Sequence, residues 1–340
     1  MQVPQTLRAW EIVGEQGIDA LQVNSRACGQ PRAGEVLLKV HASSLNYRDL
    51  ATILNPAARA LAYPRIPNSD CAGEIVAVGA DVSRVAVGDR VAGCFFQDWI
   101  DGGINAPAMA SALGGAIDGV LAEYALLTEQ GVVHVPEHLS FAQAACLPCA
   151  GVTAWNCLMH AGQVEAGSTV LLLGTGGVSI IALQLAVAHG ARVIITSSDD
   201  DKLARASALG AEHTVNYRTT SDWDSAVLEL TEGQGVDFAL EVGGGGTLPR
   251  TLNAVRVGGR IALIGVLTQG EIDPTAIMRK SICLQGVYVG SRRMFEDMNR
   301  FIAAHEITPV IDRQFTFDAA REAFHHLQAA SHFGKLVVEV

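Results

Sequence analysis

One uncharged stretch, residues 169–188, limits the folds that this chain can adopt. It reads TVLLLGTGGVSIIALQLAVA, so an apolar, β-type run is followed by a glycine-rich turn and then by a helical pattern. A membrane span needs about 20 helical residues, and glycines at the middle of the stretch argue against one. A buried strand, a tight turn and a buried helix explain it better.

The strand, turn and helix together are typical of a dinucleotide-binding site. Glycines let the backbone turn tightly and let a pyrophosphate approach the helix N-terminus, where free N–H groups and the helix dipole favour negative charge. The sixth position of the motif, where glycine is usual, is Ser179. The predicted contact residues in the turn are Gly174, Thr175, Gly176, Gly177 and Val178.

From about residue 150, strand patterns alternate with helical patterns. The predicted strands are 169–173, 192–197, 213–216, 236–242, 259–265 and 282–288, and the predicted helices between them include 178–189, 200–209 and 221–231. Ser221 and Asp224 have the spacing of a capping box at the start of the third helix. The alternation predicts right-handed crossovers and a doubly wound, six-stranded parallel sheet.

Residues 1–140 instead show short β patterns separated by turn signals, which predict a mainly β domain. Residues 99–119 are rich in Gly, Ala and Pro and predict a long loop. The predicted strands are 35–42, 73–79 and 89–96, and the tail adds a helix at 292–305, a strand near Phe315, a helix at 318–329 and a strand at 335–340. We expect this last strand to rejoin the first domain.

The charge balance argues against a nucleic-acid partner. The chain has 24 Lys and Arg against 35 Asp and Glu, a net charge of −11, and no basic run that would neutralise phosphates.

Residues 1–17 lack the apolar core of a signal peptide. We therefore expect a cytoplasmic protein with no membrane partner.

The 7 cysteines show no regular framework and are expected to be free thiols. Cys146 and Cys149 have the spacing of a redox pair. Their apolar surroundings favour the alternative that both are small buried residues.

The end of the second predicted strand bears on the choice of cofactor. NAD sites place an acidic residue there, about 20 residues after the glycines, to bond the ribose 2′-OH. Here Ser197 and Ser198 stand at that position, so the charge there that would repel a 2′-phosphate is missing, and Lys202 could neutralise the phosphate. The carboxylates of Asp199–Asp201 would instead disfavour a 2′-phosphate, unless these residues only begin the next helix. The sequence predicts NADPH in preference to NADH.

Several further motifs, together with the glycine turn, resemble those of a known family. They are LNYRDL (45–50), D-x-A-G-x-I (70–75), LAEYALL (121–127), LPCAGVTAW (147–155) and the terminal HFGKLVVEV. In this order they resemble the medium-chain dehydrogenase/reductase superfamily, and within it the zinc-free branch of quinone oxidoreductase-like and alcohol dehydrogenase-like proteins. The resemblance covers nearly the whole chain. It implies an α/β protein with a GroES-like, mainly β catalytic domain (residues 1–145 and 290–340), an inserted Rossmann domain (146–289) and a nicotinamide cofactor in the cleft between them.

Zinc-containing members of the superfamily bind catalytic zinc through a Cys, a His and a second Cys. The resemblance aligns these positions with Asn46, Ser69 and Cys149, and an amide and a hydroxyl suit Zn²⁺ poorly. The cysteines of the structural zinc lobe are also missing, because residues 95–121 contain none. We expect no zinc.

Without a metal, the favoured reaction is hydride transfer to a conjugated carbonyl acceptor such as a quinone or an enone, which delocalises the developing charge. The resemblance places Asn46 and Tyr47 near the nicotinamide, as candidate catalytic donors. Tyr47 as a half-buried packing residue is the alternative. An alcohol or aldehyde oxidoreductase and a crystallin-like cofactor-binding protein without significant catalysis are the alternative functions.

Other positions are expected to contact the cofactor. Val242, Gly243, Gly265, Val266 and Leu267 end the fourth and fifth predicted strands, where the switch-point rule places ribose and nicotinamide. The resemblance adds Thr153, Tyr217 at the 2′-phosphate, and Ser291, Phe333 and Lys335 at the nicotinamide end.

Three further expectations concern side chains outside the cofactor contacts. Phe95, Phe96 and Trp99 either line an apolar pocket or pack in the core. His325 and His326 are expected at the surface. An exposed sixth strand, by analogy, would pair across a two-fold axis to form a homodimer.

Overall fold

The computed structural model describes residues 3–340, which separate into two compact units. The first unit is the chain up to Val152 together with Gly290–Val340, and the second is Thr153–Val289. The second unit is therefore an insertion in the first, and both ends of the chain belong to the same unit.

The N-terminal part of the first unit consists mainly of short strands. The strands are β1 (Thr6–Ile12), β2 (Leu21–Ala27), β3 (Glu35–Ser44), β4 (Asp70–Val78), β5 (Arg90–Gly93), β6 (Tyr124–Thr128) and β7 (Val132–His134). The helices are α1 (Tyr47–Leu54), α2 (Ala106–Met109), α3 (Phe141–Ala144) and, at the change of unit, α4 (Val152–Trp155). Two π-helical segments, Leu147–Gly151 and Asn156–Ala161, flank α4.

The second unit alternates strands and helices. Its strands are β8 (Thr169–Leu173), β9 (Arg192–Ser197), β10 (His213–Asn216), β11 (Val236–Glu241), β12 (Val255–Leu263) and β13 (Cys283–Gly286). Its helices are α5 (Gly177–Ala188), α6 (Asp200–Ala208), α7 (Trp223–Leu230), α8 (Leu248–Ala254) and α9 (Pro274–Arg279). The tail returns to the first unit with α10 (Arg292–Ala304), β14 (Ile311–Thr316), α11 (Ala320–Gln328) and β15 (Lys335–Glu339).

The first unit is built around a mixed sheet in the order β14-β15-β3-β4-β5-β7, with β6 also paired to β3. The last strand, β15, lies antiparallel to β3, with Val338 opposite Ser43, so the prediction that it rejoins the first domain is confirmed. On the other side of β3, Ser44 lies opposite Asp70 of β4. This register brings the start of α1, the start of β4 and the start of β15 to one end of the sheet.

The second unit contains a six-stranded parallel sheet in the order β10-β9-β8-β11-β12-β13, which confirms the predicted doubly wound architecture. The sheet is buried against its helices because strands such as β8 are apolar along their length. The order of the strands reverses between β8 and β11, so a crevice is expected at the carboxyl ends of these two strands.

The boundaries differ from the prediction in several places. β12 begins at Val255 and β13 ends at Gly286, so the fifth strand is longer and the sixth shorter than expected. The predicted capping box at Ser221 is wrong, because α7 follows Asp222 and has no side-chain cap. Asp224 instead accepts hydrogen bonds from Arg250 (2.5 Å) and Asn253 (2.8 Å), and so it links α7 to α8.

The predicted loop at 99–119 contains one short helix, α2, capped by the Asn105 side chain. Beside it, Phe95, Phe96 and Trp99 are all at least 95% buried, and the Phe96 ring lies 4.6 Å from Phe95 and 5.8 Å from Trp99. These contacts favour core packing over the wall of a pocket. His325 is exposed, in agreement with a surface position, whereas His326 is half-buried, with its Nε2 atom buried and its ring 5.9 Å from that of Phe315.

In residues 3–340, none of the helices combines the length and the apolar character that crossing a membrane requires.

Candidate functional site

In the second unit, the glycine turn lies between β8 and α5. Gly174 has a φ of +71°, and Gly176 is the N-cap residue of α5. A Cβ atom at either glycine would meet no heavy atom within 4 Å, so the space beside the turn is open. The turn therefore fits a pyrophosphate at the start of a 12-residue helix.

Ser179, the departure from the usual motif, has a structural role. Its hydroxyl is buried and donates a hydrogen bond to the carbonyl of Leu173 at 2.7 Å. The hydroxyl thus ties the first turn of α5 to the end of β8, where a glycine would only allow close packing.

The end of β9 carries the residues predicted to select the cofactor. Ser197 is buried and accepts a hydrogen bond from the Tyr217 backbone N–H at 3.0 Å, so the structure brings these two predicted residues together. The Tyr217 side chain is 42% exposed, and Ser198 and Lys202 are half-buried. Arg218, next to Tyr217, is a second cation near this strand end, and it is exposed; the sequence analysis missed it.

Two of the three aspartates after β9 have local partners. Asp199 caps α6 by accepting a hydrogen bond from the Lys202 N–H at 3.0 Å. Asp200 accepts one from the Asn216 side chain at 2.6 Å. These contacts support the interpretation that the acidic run begins a helix.

The ends of β11 and β12 form closely packed backbone loops. A Cβ at Gly265 would lie 1.8 Å from the Val242 carbonyl oxygen, so this position accepts only glycine. Val266 and Leu267 are 79% and 51% exposed. The sequence analysis missed Glu241, whose buried carboxylate accepts hydrogen bonds from the N–H groups of Gly243 and Gly244.

In the first unit, a buried polar cluster surrounds the start of α1. Lys335 is only 3% exposed. Its ammonium donates hydrogen bonds to the Leu45 carbonyl (2.7 Å) and to Asn46 Oδ1 (2.5 Å). The N–H of Asn46 donates to Asp49 at 3.0 Å. Lys335, predicted at the nicotinamide end, thus acts directly on Asn46.

Asp70 is the acidic partner of this cluster. Its carboxylate is fully buried and accepts hydrogen bonds from Ser69 Oγ (2.7 Å), the Cys149 N–H (3.1 Å) and Ser44 Oγ (3.3 Å). Burial raises the pKa of Asp70, and the positive charge of Lys335 opposes that rise.

The two predicted donors differ in access to solvent. Tyr47, the first residue of α1, is 58% exposed, whereas Asn46 is 8% exposed and its amide nitrogen is buried. The neighbouring Arg48 donates to Asp49 (3.0 Å) and to the Leu113 carbonyl (2.8 Å), which is a structural role. Of the two, Tyr47 is therefore the one open to a bound molecule.

The remaining predicted contacts are buried. Thr153 is 6% exposed, Phe333 is 1% exposed, and the hydroxyl of Ser291 caps α10 by accepting a hydrogen bond from the Met294 N–H at 3.3 Å.

The residues at the zinc-ligand positions do not fit zinc. Asn46 Oδ1 already accepts a bond from an ammonium, and the Ser69 hydroxyl donates to Asp70. Burial raises the pKa of the Cys149 thiol well above its usual range, and zinc binds the thiolate. Across residues 3–340, no group of three or more His, Cys, Asp or Glu side chains is placed to hold a metal.

Cys146 and Cys149 are both buried free thiols. Burial raises the pKa of Cys146 to about 12, so it holds little of the thiolate that redox chemistry needs. The structure thus supports two packed residues over a redox pair.

Comparison with known families agrees with this architecture. Residues 32–137 match the alcohol dehydrogenase GroES-like domain, and residues 177–304 match the zinc-binding dehydrogenase family. A zinc-type alcohol dehydrogenase-like protein of Schizosaccharomyces pombe is 44% identical over 90% of this chain and 91% of its own length. The chain belongs to the medium-chain dehydrogenase/reductase family and is an oxidoreductase.

More distant relatives carry more specific names. Human quinone oxidoreductase is 29% identical, over 98% of this chain and 97% of its own length. The 2-methylene-furan-3-one reductase of Solanum lycopersicum is also 29% identical, over 99% of this chain and 80% of its own.

Solved structures share the whole fold. The crystal structure of a putative alcohol dehydrogenase from Sinorhizobium meliloti 1021 superposes with a TM-score of 0.93 at 39% identity, over the full length of both chains. That of an NAD-dependent alcohol dehydrogenase has a TM-score of 0.89 at 31% identity, over 98% of this chain and 99% of that one.

The buried cluster predicts how the first unit responds to loss of its ammonium. Lys335→Met leaves the fully buried Asp70 without the nearby positive charge and Asn46 Oδ1 without its donor, so we expect the free energy of unfolding to fall by about 3 kcal/mol. Lys335→Arg keeps the charge and should lose less. Urea denaturation measures both, and a Lys335→Met protein as stable as the wild type would contradict this account.

Proposed function

We propose that this chain is an NADPH-dependent, zinc-independent reductase that delivers hydride to a conjugated carbonyl acceptor such as a quinone or an enone. The observation that carries the proposal is the Lys335 ammonium bonded to Asn46 Oδ1 at 2.5 Å, where zinc members of the family have a metal ligand. These residues would hold a Lewis-acidic metal poorly, and an isolated alkoxide would need such a metal to stabilise it. A conjugated acceptor spreads the developing charge and needs less stabilisation.

The second unit supplies the groups that would hold the cofactor. The open turn from Gly174 to Gly177 would bind the pyrophosphate, and Tyr217 with Lys202 would bind the 2′-phosphate. The cofactor, when bound, provides the hydride. The absence of an acidic side chain at Ser197 and Ser198 supports NADPH over NADH.

The first unit supplies the groups that we assign to the acceptor. Tyr47 carries an exposed hydroxyl at the first turn of α1, and we assign it the hydrogen bond or proton to the acceptor oxygen. Asn46 lies directly before it, and Lys335 and Asp49 hold its side chain and its backbone N–H. The quinone and enone acceptors named in two relatives support this substrate class.

The proposal is tested by following NADPH oxidation with a panel of quinones, enones, aldehydes and alcohols after dialysis against a chelator. We expect turnover with the quinones or enones and no stimulation by added zinc. Tyr47→Phe should lower kcat about 10-fold or more with little change in NADPH binding, because it removes only the hydroxyl. Thr52→Val, on the same helix, is the matched control because the Thr52 hydroxyl bonds only the Arg48 carbonyl.

Other outcomes would select another function. Activity that is lost on chelation and restored by zinc would exclude the zinc-independent reaction. Turnover restricted to alcohols or aldehydes would favour the alcohol oxidoreductase that the zinc-type relative's name suggests. Tight cofactor binding without turnover for any acceptor would favour a binding protein.

Cofactor preference gives a second prediction. We expect a KM for NADPH at least about 10-fold below that for NADH, because serines stand at the position where NAD sites have an acidic residue and Lys202 lies nearby. Ser198→Asp places an acid at this half-buried position and should weaken NADPH binding about 10-fold while NADH binding changes little. Steady-state kinetics with both cofactors measures this, and an equal or lower KM for NADH in the wild type would refute the preference.

We also propose a homodimer formed through β13. This strand is at the edge of the parallel sheet, and nearby Val257, Met278 and Tyr288 are 68%, 69% and 40% exposed. An unpaired edge with exposed apolar side chains favours pairing with a second copy. Sedimentation at micromolar concentration should give about twice the 35.8 kDa chain mass, and a monomer would refute the dimer.

A further inference from the structure

Four consecutive glycines, Gly243–Gly246, follow the end of β11. They lie at the carboxyl end of the strand next to β8, which is the crevice side of the sheet. A tetraglycine segment in solution has more backbone freedom than any other sequence of this length, and ordering it has a high entropic cost. In this structure, hydrogen bonds with the side chains of Glu241 and Thr268 restrain the segment.

Glu241, the last residue of β11, restrains the segment from the strand that precedes it. Its carboxylate is fully buried, and one oxygen accepts hydrogen bonds from the Gly243 N–H (2.7 Å), the Gly244 N–H (3.0 Å) and the Thr247 hydroxyl (2.6 Å). The other oxygen accepts a bond from the Thr251 hydroxyl at 2.5 Å. The acid is therefore satisfied by the loop and by α8, the helix that follows the loop.

Thr268 restrains the same segment from the loop after β12. Its hydroxyl donates to the Gly243 carbonyl at 2.8 Å and accepts from the Gly246 N–H at 3.0 Å. Its backbone adds a bond from its N–H to the Gly243 carbonyl (2.8 Å) and one from the Gly245 N–H to its own carbonyl (3.0 Å). One exposed residue thus bonds to three of the four glycines.

Very little space separates the two loops. A Cβ at Gly245 would lie 2.4 Å from the Gly270 nitrogen, and one at Gly246 would lie 2.6 Å from Thr268 Oγ1. Backbone atoms therefore pack directly against each other, and no larger side chain between the loops can order them. The Thr268 hydroxyl is the side-chain group that links them across this contact.

We propose that Thr268 is a positioning residue that pre-orders the Gly243–Gly246 loop for the nicotinamide cofactor; this inference rests on the proposed function. A loop ordered before binding pays no ordering cost when the cofactor arrives, so the bound state gains affinity. Thr268 acts through the glycine loop and needs no contact of its own with the cofactor.

The test compares Thr268→Val with Thr268→Ser by NADPH fluorescence titration. Val keeps the branched shape but removes both hydroxyl bonds, and we expect the Kd to rise about 10-fold. Ser keeps the hydroxyl and should bind within about 2-fold of the wild type. Thr214→Val, an exposed threonine on β10 outside the loops, is the matched control and should bind like the wild type.

Two further readouts separate positioning from general stability. Hydrogen exchange should become faster at Gly243–Gly246 in Thr268→Val, while kcat at saturating NADPH and the melting temperature stay near wild type. Faster exchange with an unchanged Kd, or a Kd raised equally in the serine variant, would overturn the role of the hydroxyl. Failure of the wild type to bind NADPH or NADH would instead refute the proposed function, and this inference with it.

Discussion

The hydrogen bond from the Lys335 ammonium to Asn46 Oδ1 joins the N-terminal and C-terminal parts of the first unit in its interior. Pairing of β15 with β3 carries Lys335 there, and pairing of β3 with β4 brings Asp70 to the same end of the sheet. A buried ammonium and a buried carboxylate are each unfavourable alone, so their proximity and hydrogen bonds are what make this interior possible. The same cluster contains Asn46 and Ser69, which the resemblance aligns with zinc ligands.

In the second unit, glycine-rich backbone next to open space is held in an ordered conformation. At the first strand, the open side of Gly174 and Gly176 exposes the start of α5. At the fourth and fifth strands, glycines bring two loops into backbone contact; Glu241 bonds the glycine loop that follows it, and Thr268 bonds across the contact. Glycines allow the two backbones to approach closely, but ordering them costs more conformational entropy than ordering other residues. The hydrogen bonds of Glu241 and of the Thr268 hydroxyl offset that cost.

Much of the parallel sheet could be predicted from the sequence because strand patterns alternate with helical patterns and because β8 is an apolar run that ends at a glycine turn. The capping box at Ser221 failed for a definable reason. The spacing of Ser221 and Asp224 is compatible with a capping box. In the folded chain, however, the Asp224 carboxylate accepts hydrogen bonds from Arg250 and Asn253 of α8, which no local pattern predicts. Lys335 was predicted from the resemblance to lie at the nicotinamide end, yet its bonding partner Asn46 lies 289 residues away and no local pattern contains that information.

The sequence alone therefore determined the class of fold, the glycine turn and which residues stand at the positions that the resemblance aligns with zinc ligands, since each depends on local periodicity or on residue chemistry. The tertiary structure decided how those residues are used. It showed Tyr47 exposed and Asn46 held by Lys335, Ser179 tied to Leu173, and Thr268 bonded to the tetraglycine loop. These are contacts between segments distant along the chain, and they exist only once strand order and register have set which backbone and side-chain groups meet.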